Sequence, residues 1–393
     1  MARRPKGYAT VNRLGAPSRH ERAFVAHDCD APPLEELLRE RWRSLRQLLD
    51  AADLEALIVH GHGALHRYGY LEYCAGFCPW QQDGVLLLGR KGPLVLVIED
   101  NADAPDLNCP VILRAPQREL RETVERCVEV LALNESPLGV AGPDAWFFRW
   151  LFPDRAFRDV THLLQKIKSL KCAGDVAHLK HGADLADRGM DTFAECVRPG
   201  KDMRSTCSEV ERKLKAGGAR ETIVRLGRGP RFSEPSSPDT VSANELLCAY
   251  VEVLGANGYW VELMRPVIIG EIDDAARRLL DACIEAAEIA EELLRPGTSV
   301  AKLFETVHAT ASRRGFRLDG KCGHGVGIDD QDFPKLIAGD PTILEAGMTV
   351  ALHPRLIDER RTTGAVVGDT FLITSDGPHR FSRYSNKAIQ VES

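Results

Sequence analysis

The stretch on which the fold turns is Arg295-Pro296-Gly297-Thr298-Ser299-Val300, followed by Leu303, Phe304 and Val307. The Pro-Gly pair closes one helix, and apolar residues at three- and four-residue spacing open the next. The same layout stands 97 residues earlier (from Pro296 back to Pro199) as Arg198-Pro199-Gly200, with Cys207, Val210 and Leu214 on one helical face. Each copy runs on into a glycine-rich turn, Gly227-Arg228-Gly229 in the first and Gly323-His324-Gly325-Val326-Gly327 in the second. Each then supplies two apolar strands, 246–254 with 259–269 and 348–356 with 365–374. A helix–helix–strand–strand unit used twice predicts two antiparallel sheets related by a pseudo-twofold axis, with the helices outside.

Upstream of this repeat the pattern changes. Leu34, Leu37, Leu38, Trp42, Leu45, Leu48 and Leu49 recur at helical spacing, and the strand Ala56-Leu57-Ile58-Val59 follows. Val85–Leu88 and Leu94–Ile98 flank Gly89-Arg90-Lys91-Gly92-Pro93, which reads as a hairpin between buried strands. A strand at 111–113, a helix near 118–132 and a strand at 138–140 complete an α/β module. The expected organisation is an N-terminal arm over 1–32, an α/β domain over 33–162 and the repeat-bearing domain over 163–393. Arg3, Arg4, Lys6, Arg13, Arg19 and Arg22 make the arm basic.

Composition narrows the function. The 51 Lys and Arg against 57 Asp and Glu give a net charge of −6, without the basic footprint of a nucleic-acid binder. No apolar run approaches the ~18 residues of a membrane span. The basic N-terminus lacks the apolar segment of a signal peptide. Eleven cysteines with no Cys-x-x-Cys pair fit neither a disulfide framework nor a zinc ribbon. The expectation is a reduced, cytoplasmic protein that touches neither nucleic acid nor membrane.

Four motifs, in order, resemble the creatinase, aminopeptidase P and methionine aminopeptidase superfamily, the pita-bread proteins. They are Gly258-Tyr259-Trp260-Val261-Glu262-Leu263-Met264-Arg265, the Gly323–Gly327 turn, Glu345-Ala346-Gly347-Met348 through His353-Pro354, and Gly368-Asp369-Thr370-Phe371-Leu372-Ile373-Thr374. The resemblance implies an α/β plus α+β fold: a creatinase-type N-terminal α/β domain, then a pita-bread domain with an internal pseudo-twofold repeat. It also implies a homodimer in which one subunit's N-terminal domain helps close the partner's active site.

Metallopeptidases of that superfamily hold two divalent ions with Asp, Asp, His, Glu and Glu, because two hard cations need several carboxylates to offset their charge. Carried over by position, the first Asp falls on Val251 and the second on Glu262. The His is His324, the first Glu is replaced by His353, and the last Glu falls on Gly368. A further peptidase-type His, seven residues after His324, is Gln331.

Three chemistries compete for Glu262, His324 and His353. The preferred one is metal-independent hydrolysis of a non-peptide C–N bond in a small nitrogen-rich or amino-acid-derived compound, as in creatinase and ectoine hydrolase, with lyase or cyclase chemistry also open. There His324 is the general acid/base, Glu262 orients it or serves as base, and His353 positions the substrate. Arg265, Arg355, Tyr259, Trp80 and His62 are the expected substrate contacts, and no cofactor is assigned. The second chemistry keeps a single zinc or iron on Glu262, His324 and His353. The third is a catalytically silent binder. A dinuclear metallopeptidase is not expected. Glu252 reaches the pocket only if a bulge shifts the strand register, since alternation from Val251 otherwise points it away. Asp369 is assigned a hydrogen-bonded structural role.

Overall fold

The computed structural model describes residues 33–100, 102, 111–133, 138–232 and 234–392. The basic arm lies outside these residues.

The N-terminal half is a mixed six-stranded sheet with helices on both faces. Helix α1 (Leu34–Ala51) presents Leu37, Leu38, Trp42, Leu45, Leu48 and Leu49 to the core along one stripe. It leads into β1 (Ala56–His62), a short helix α2 (Gly69–Ala75) and the hairpin β2 (Asp83–Gly89) and β3 (Leu94–Glu99). Then come β4 (Val111–Ala115), α3 (Leu120–Val130), β5 (Leu138–Ala141), α4 (Ala145–Leu151) and β6 (Phe157–Asp159). The strand order is β4-β3-β2-β1-β5-β6. Strands β1, β2 and β3 are buried along nearly their whole length, which explains their continuous apolar runs. Helix α2 falls within the aromatic segment between His62 and Trp80, and Tyr68 and Tyr73 of this segment pack into the core.

Helix α5 (Thr161–Ser169) connects to the second half, which opens with α6 (Ala173–Cys196) and α7 (Met203–Ala216). Strands β7 (Glu221–Gly227), β8 (Glu245–Leu254) and β9 (Trp260–Ile269) follow. The second copy supplies α8 (Asp274–Glu292), α9 (Val300–Arg313), β10 (Arg317–Leu318), β11 (Gly323–Gly325) and β12 (Asp332–Leu336). It continues through β13 (Thr349–Leu352), β14 (Arg355–Ile357), β15 (Gly364–Val366), β16 (Asp369–Thr374), β17 (Gly377–Arg380) and β18 (Ile389–Val391). The repeat is visible in its turns. Gly200 and Gly297 both adopt positive φ, 78° and 88°, as a glycine after a helix end readily does. Two residues later Asp202 and Ser299 cap the next helices through the amides of Ser205 and Lys302.

The first copy forms the sheet β18-β9-β8-β7, with β8 and β9 paired without interruption from Glu245↔Ile269 to Leu254↔Trp260. The second copy departs from the expected pair of long strands. Around Pro354 and Gly368 both strands break, so β13 and β16 lie in the sheet β12-β11-β13-β16-β17 while β14 and β15 join β10 in another. Proline lacks the amide that a ladder needs. At the break, Met264 and Gly368 exchange backbone hydrogen bonds of 3.0 Å in each direction and tie the two sheets together.

The two halves share a continuous core and a set of buried polar links. Arg41 of α1 meets Asp175, the third residue of α6, at 2.9 Å. Lys168 bonds Asp329 at 2.6 Å, Glu72 bonds Arg220 at 2.7 Å, and the Trp260 indole donates to the Tyr68 hydroxyl at 2.7 Å. Among the described residues no helix is long and apolar enough to cross a membrane.

Candidate functional site

Strand β9 delivers Glu262, β11 delivers His324, and His353 follows β13. Because β11 pairs with β13 and β13 with β16, while β9 is tied to Gly368 beside β16, the three side chains converge where the sheets meet. Their candidate ligand atoms lie within 4.8 Å of one another, and all three residues are buried. His324 Nε2 is 3.2 Å from one oxygen of Glu262, and His353 Nε2 is 3.7 Å from the other. The Glu262 main chain is held on both sides by Thr370, whose hydroxyl accepts from its amide at 2.9 Å and donates to its carbonyl at 3.1 Å.

Proton accounting shows what this pocket lacks. His324 Nδ1 lies 3.0 Å from the Gly325 carbonyl, which can only accept, so that nitrogen carries the hydrogen. The neutral ring then turns an Nε2 lone pair toward Glu262. Both Glu262 oxygens and both His353 ring nitrogens are buried without a hydrogen-bond partner. Burial, and then the charge of Glu252, push Glu262 well above the ordinary carboxyl range. Burial and the neighbouring His353 hold His324 well below the ordinary imidazole value. Burial takes His353 down to about 3. Without an ion these directions keep Glu262 protonated and both imidazoles neutral; a divalent cation would instead bind the Glu262 carboxylate, His324 Nε2 and one nitrogen of His353 together. The donor set therefore fits a metal ion, and a glutamate with two histidines is a three-ligand set for zinc with an open position.

Glu252 belongs to the same pocket. It stands directly opposite Glu262 in the unbroken β8–β9 ladder, and direct cross-strand partners share a face. No bulge is needed. Counting back eleven residues lands on Val251, whose partner is Leu263 on the other face. The hairpin register, rather than that count, decides which residue looks inward. Glu252 is 5% exposed and accepts a hydrogen bond from the Tyr250 hydroxyl. Gly368 is fixed by its surroundings: a Cβ there would meet His353 Cβ at 2.8 Å and Met264 Sδ at 3.0 Å. His353 and Met264 thus fill the space in which a side chain from 368 would begin.

Of the residues expected to touch substrate, Arg265 and Tyr259 are buried in contacts elsewhere. Arg265 lies on the opposite face of β9 from Glu262, fully buried, and donates to Asp369, to Gly368 and to three further carbonyls. Asp369 also accepts from Arg380 and Ser382, so it is a buried structural anchor. Tyr259 is 3% exposed and hydrogen-bonded to Asp175 and Arg41 at the junction of the two halves. Arg355 pairs with Asp319 at 3.2 Å and lies over the Phe232 ring. Trp80 is 70% exposed, and His62 ends β1 opposite Asp83. None of these five is a member of the Glu262–His324–His353 cluster.

The fold and the family profile make this chain a homologue of metallopeptidases. The profile of metallopeptidase family M24 matches residues 177–375, and this chain belongs to that family. The Xaa-Pro dipeptidase of Pyrococcus horikoshii is 20% identical over 365 residues, covering 90% of this chain and 100% of that protein. The Xaa-Pro dipeptidase of Pyrococcus furiosus is 23% identical over 269 residues, 65% of this chain and 76% of its own length. Among solved structures, the prolidase from Pyrococcus horikoshii OT3 matches with a TM-score of 0.74 at 19% identity, over 88% of this chain and 98% of that one. The dipeptidase PepE from Mycobacterium ulcerans matches with a TM-score of 0.79 at 18% identity, over 92% and 100%.

These findings correct two expectations. Metal-independent cleavage of a non-peptide C–N bond does not accord with relatives that are named Xaa-Pro dipeptidases. The assignment of no cofactor gives way to a buried glutamate–histidine–histidine cluster that could hold a metal ion, in a member of a metallopeptidase family.

Proposed function

We propose that this protein is a metal-dependent hydrolase of the amide bond in short, dipeptide-sized substrates, with one divalent ion held by Glu262, His324 and His353. The observation that carries the reading is the Glu262 carboxylate, 1% exposed, unpartnered and faced by two imidazoles. An ion held there supplies Lewis-acid polarisation of the scissile carbonyl and lowers the pKa of water.

The chain's own groups do the rest. The Gly325 carbonyl fixes the His324 tautomer and so aims its Nε2 at the site. Thr370 clamps the Glu262 backbone from both sides and sets the carboxylate's position. Glu252, opposite Glu262, carries the proton: its carboxylate takes one from the attacking water as the C–O bond forms. It returns that proton to the amide nitrogen as the C–N bond breaks. Burial raises the Glu252 carboxyl to about 7 in the protein without an ion, and a cation on neighbouring Glu262 would draw it back toward the ionised form that a base needs. The Tyr250 hydroxyl holds one of its oxygens in place.

A homodimer in the cytoplasm remains part of the proposal. The family resemblance supports the dimer, and nine free cysteines among the described residues fit a reducing compartment.

Elemental analysis of tag-free protein, together with a dipeptide hydrolysis assay, tests the reading. The wild type should retain about one ion per chain. Glu262→Gln and His324→Ala should lose it, with activity falling at least about a hundredfold. Glu252→Gln should keep the ion and lose turnover. Full hydrolysis by metal-free protein would overturn the proposal.

A further inference from the structure

The ladder that sets Glu252 against Glu262 continues into β7, the edge strand of the same sheet. Ile223, Glu252 and Glu262 form one rung, and Arg225, Tyr250 and Met264 form another, two residues along. Side chains two residues apart share a face, so Arg225 stands on the side of the sheet that carries Glu252 and Glu262. Its Nη1 donates to the Val224 carbonyl at 2.9 Å, and its Nε is buried without a hydrogen-bond partner. Among the described residues no carboxylate lies within ion-pair distance of it. The arginines on either side of β7 are both paired, Arg220 with Glu72 at 2.7 Å and Arg228 with Glu245 at 2.6 Å. The charge of Arg225 is felt by Glu252, whose ionised form it favours.

A partly buried guanidinium without a counter-charge is costly to keep. Anchoring Nη1 on the strand backbone fixes the plane of the group and leaves the edge formed by Nε and Nη2, which can meet a carboxylate with two parallel hydrogen bonds. Beyond this rung the face is closed. Phe232, Cys248, Met264 and Val366 form a buried apolar cluster there, with Tyr250 packed against it. A ligand that runs from the Glu262 cluster along this face therefore comes to its end at Arg225. From strand spacing and rise, the Cα atoms of Arg225 and Glu262 lie about 12 Å apart. Successive Cα atoms of a peptide are about 3.8 Å apart, so with both side chains reaching inward the interval suits one residue beyond the scissile bond. Resting on the reading that Glu262, His324 and His353 hold an ion, we propose that Arg225 receives the terminal carboxylate of the substrate. The substrate class is then amide-bonded compounds that end in a free carboxyl group, dipeptides and N-acyl amino acids.

The test compares a panel of dipeptides with the matching dipeptide amides, which lack the terminal charge, on full-length protein. Wild type should prefer the free acids by about tenfold to a hundredfold in kcat/KM. Arg225→Met, checked for folding by circular dichroism, should lose that preference through KM while its metal content stays at the wild-type level. Arg225→Lys, which keeps the charge but not the fork, should retain part of it. Equal rates for acids and amides in the wild type would overturn the inference without needing any variant to fold, and the hydrolase reading would stand. An unchanged preference in Arg225→Met would put the carboxylate on another group, such as Lys335 opposite His324, and overturn it too. A wild type that cleaves neither set would sink the hydrolase reading and this inference together.

Discussion

Replacing Arg265 with alanine removes a guanidinium that is fully buried and uses every face. Its Nε donates to the Ser385 carbonyl at 2.7 Å. Nη1 donates to the Met264 and Gly368 carbonyls at 2.7 and 2.6 Å. Nη2 donates to Asp369 at 2.6 Å and to the Tyr384 carbonyl at 2.9 Å. Breaking a buried ion pair from one side costs roughly 3–5 kcal/mol, because the remaining charge stays desolvated. Here Asp369 keeps Arg380 at 3.0 Å and Ser382 at 2.7 Å, which softens that loss. The newly unpartnered carbonyls and the void act in the opposite direction, at about 1–3 kcal/mol for each buried polar group left unsatisfied. The two corrections offset, and the expected loss stays at about 3–5 kcal/mol. At roughly 2–4 °C per kcal/mol for a domain of this size, Tm should fall by about 6–20 °C. Scanning calorimetry reads the fall, and dipeptide kinetics well below the melt show whether the folded fraction keeps its KM. A variant that melted within about 2 °C of wild type and showed only a raised KM would mean that Arg265 binds substrate and that the structural assignment is wrong.

Two further outcomes follow from buried groups. Burial raises the Asp187 carboxyl to about 6, above its ordinary value of 3.8, so ionising it costs stability: full stability is present below about pH 4 and is lost as pH rises through about 6. Asp187→Asn should remove that slope and melt higher at pH 7, and a Tm–pH series with parallel profiles would contradict the assignment. Gly368→Ala forces a Cβ to within 2.8 Å of His353 Cβ. It should cost about 1–3 kcal/mol of stability and loosen zinc binding by about tenfold. Unchanged affinity by calorimetry would show that His353 is not placed by that contact.

Much of the architecture could be read from the chain because its signals are local. The leucine stripe of α1 and the hairpin of β2 and β3 need only near neighbours to be recognised. The duplicated Pro-Gly turns do too, and each glycine adopts the conformation that ends a helix. Glu262, His324 and His353 were also legible, since motif order alone brought them together. What stayed hidden depended on register and on distant partners. Glu252 was invisible to a count along the chain because the β8–β9 turn sets which residues face each other, and that pairing places 252 against 262. Arg265 stands beside a site motif, yet alternation along β9 sends it to the opposite face, a parity argument that was available from the sequence. Helix α2 is only seven residues long, too short for its period to show among tyrosines. Pro354 marks one strand break locally, whereas the break at Gly368 depends on its backbone exchange with distant Met264, which no single segment encodes.

The contact between Gly368 and His353 also couples two positions of the site. A side chain at 368 would crowd His353 and Met264, which occupy the space its Cβ would need. A smaller residue at 353 would open that space but take a histidine from the present cluster. Positions 353 and 368 therefore behave as one unit, and a double substitution should depart from the sum of its single effects.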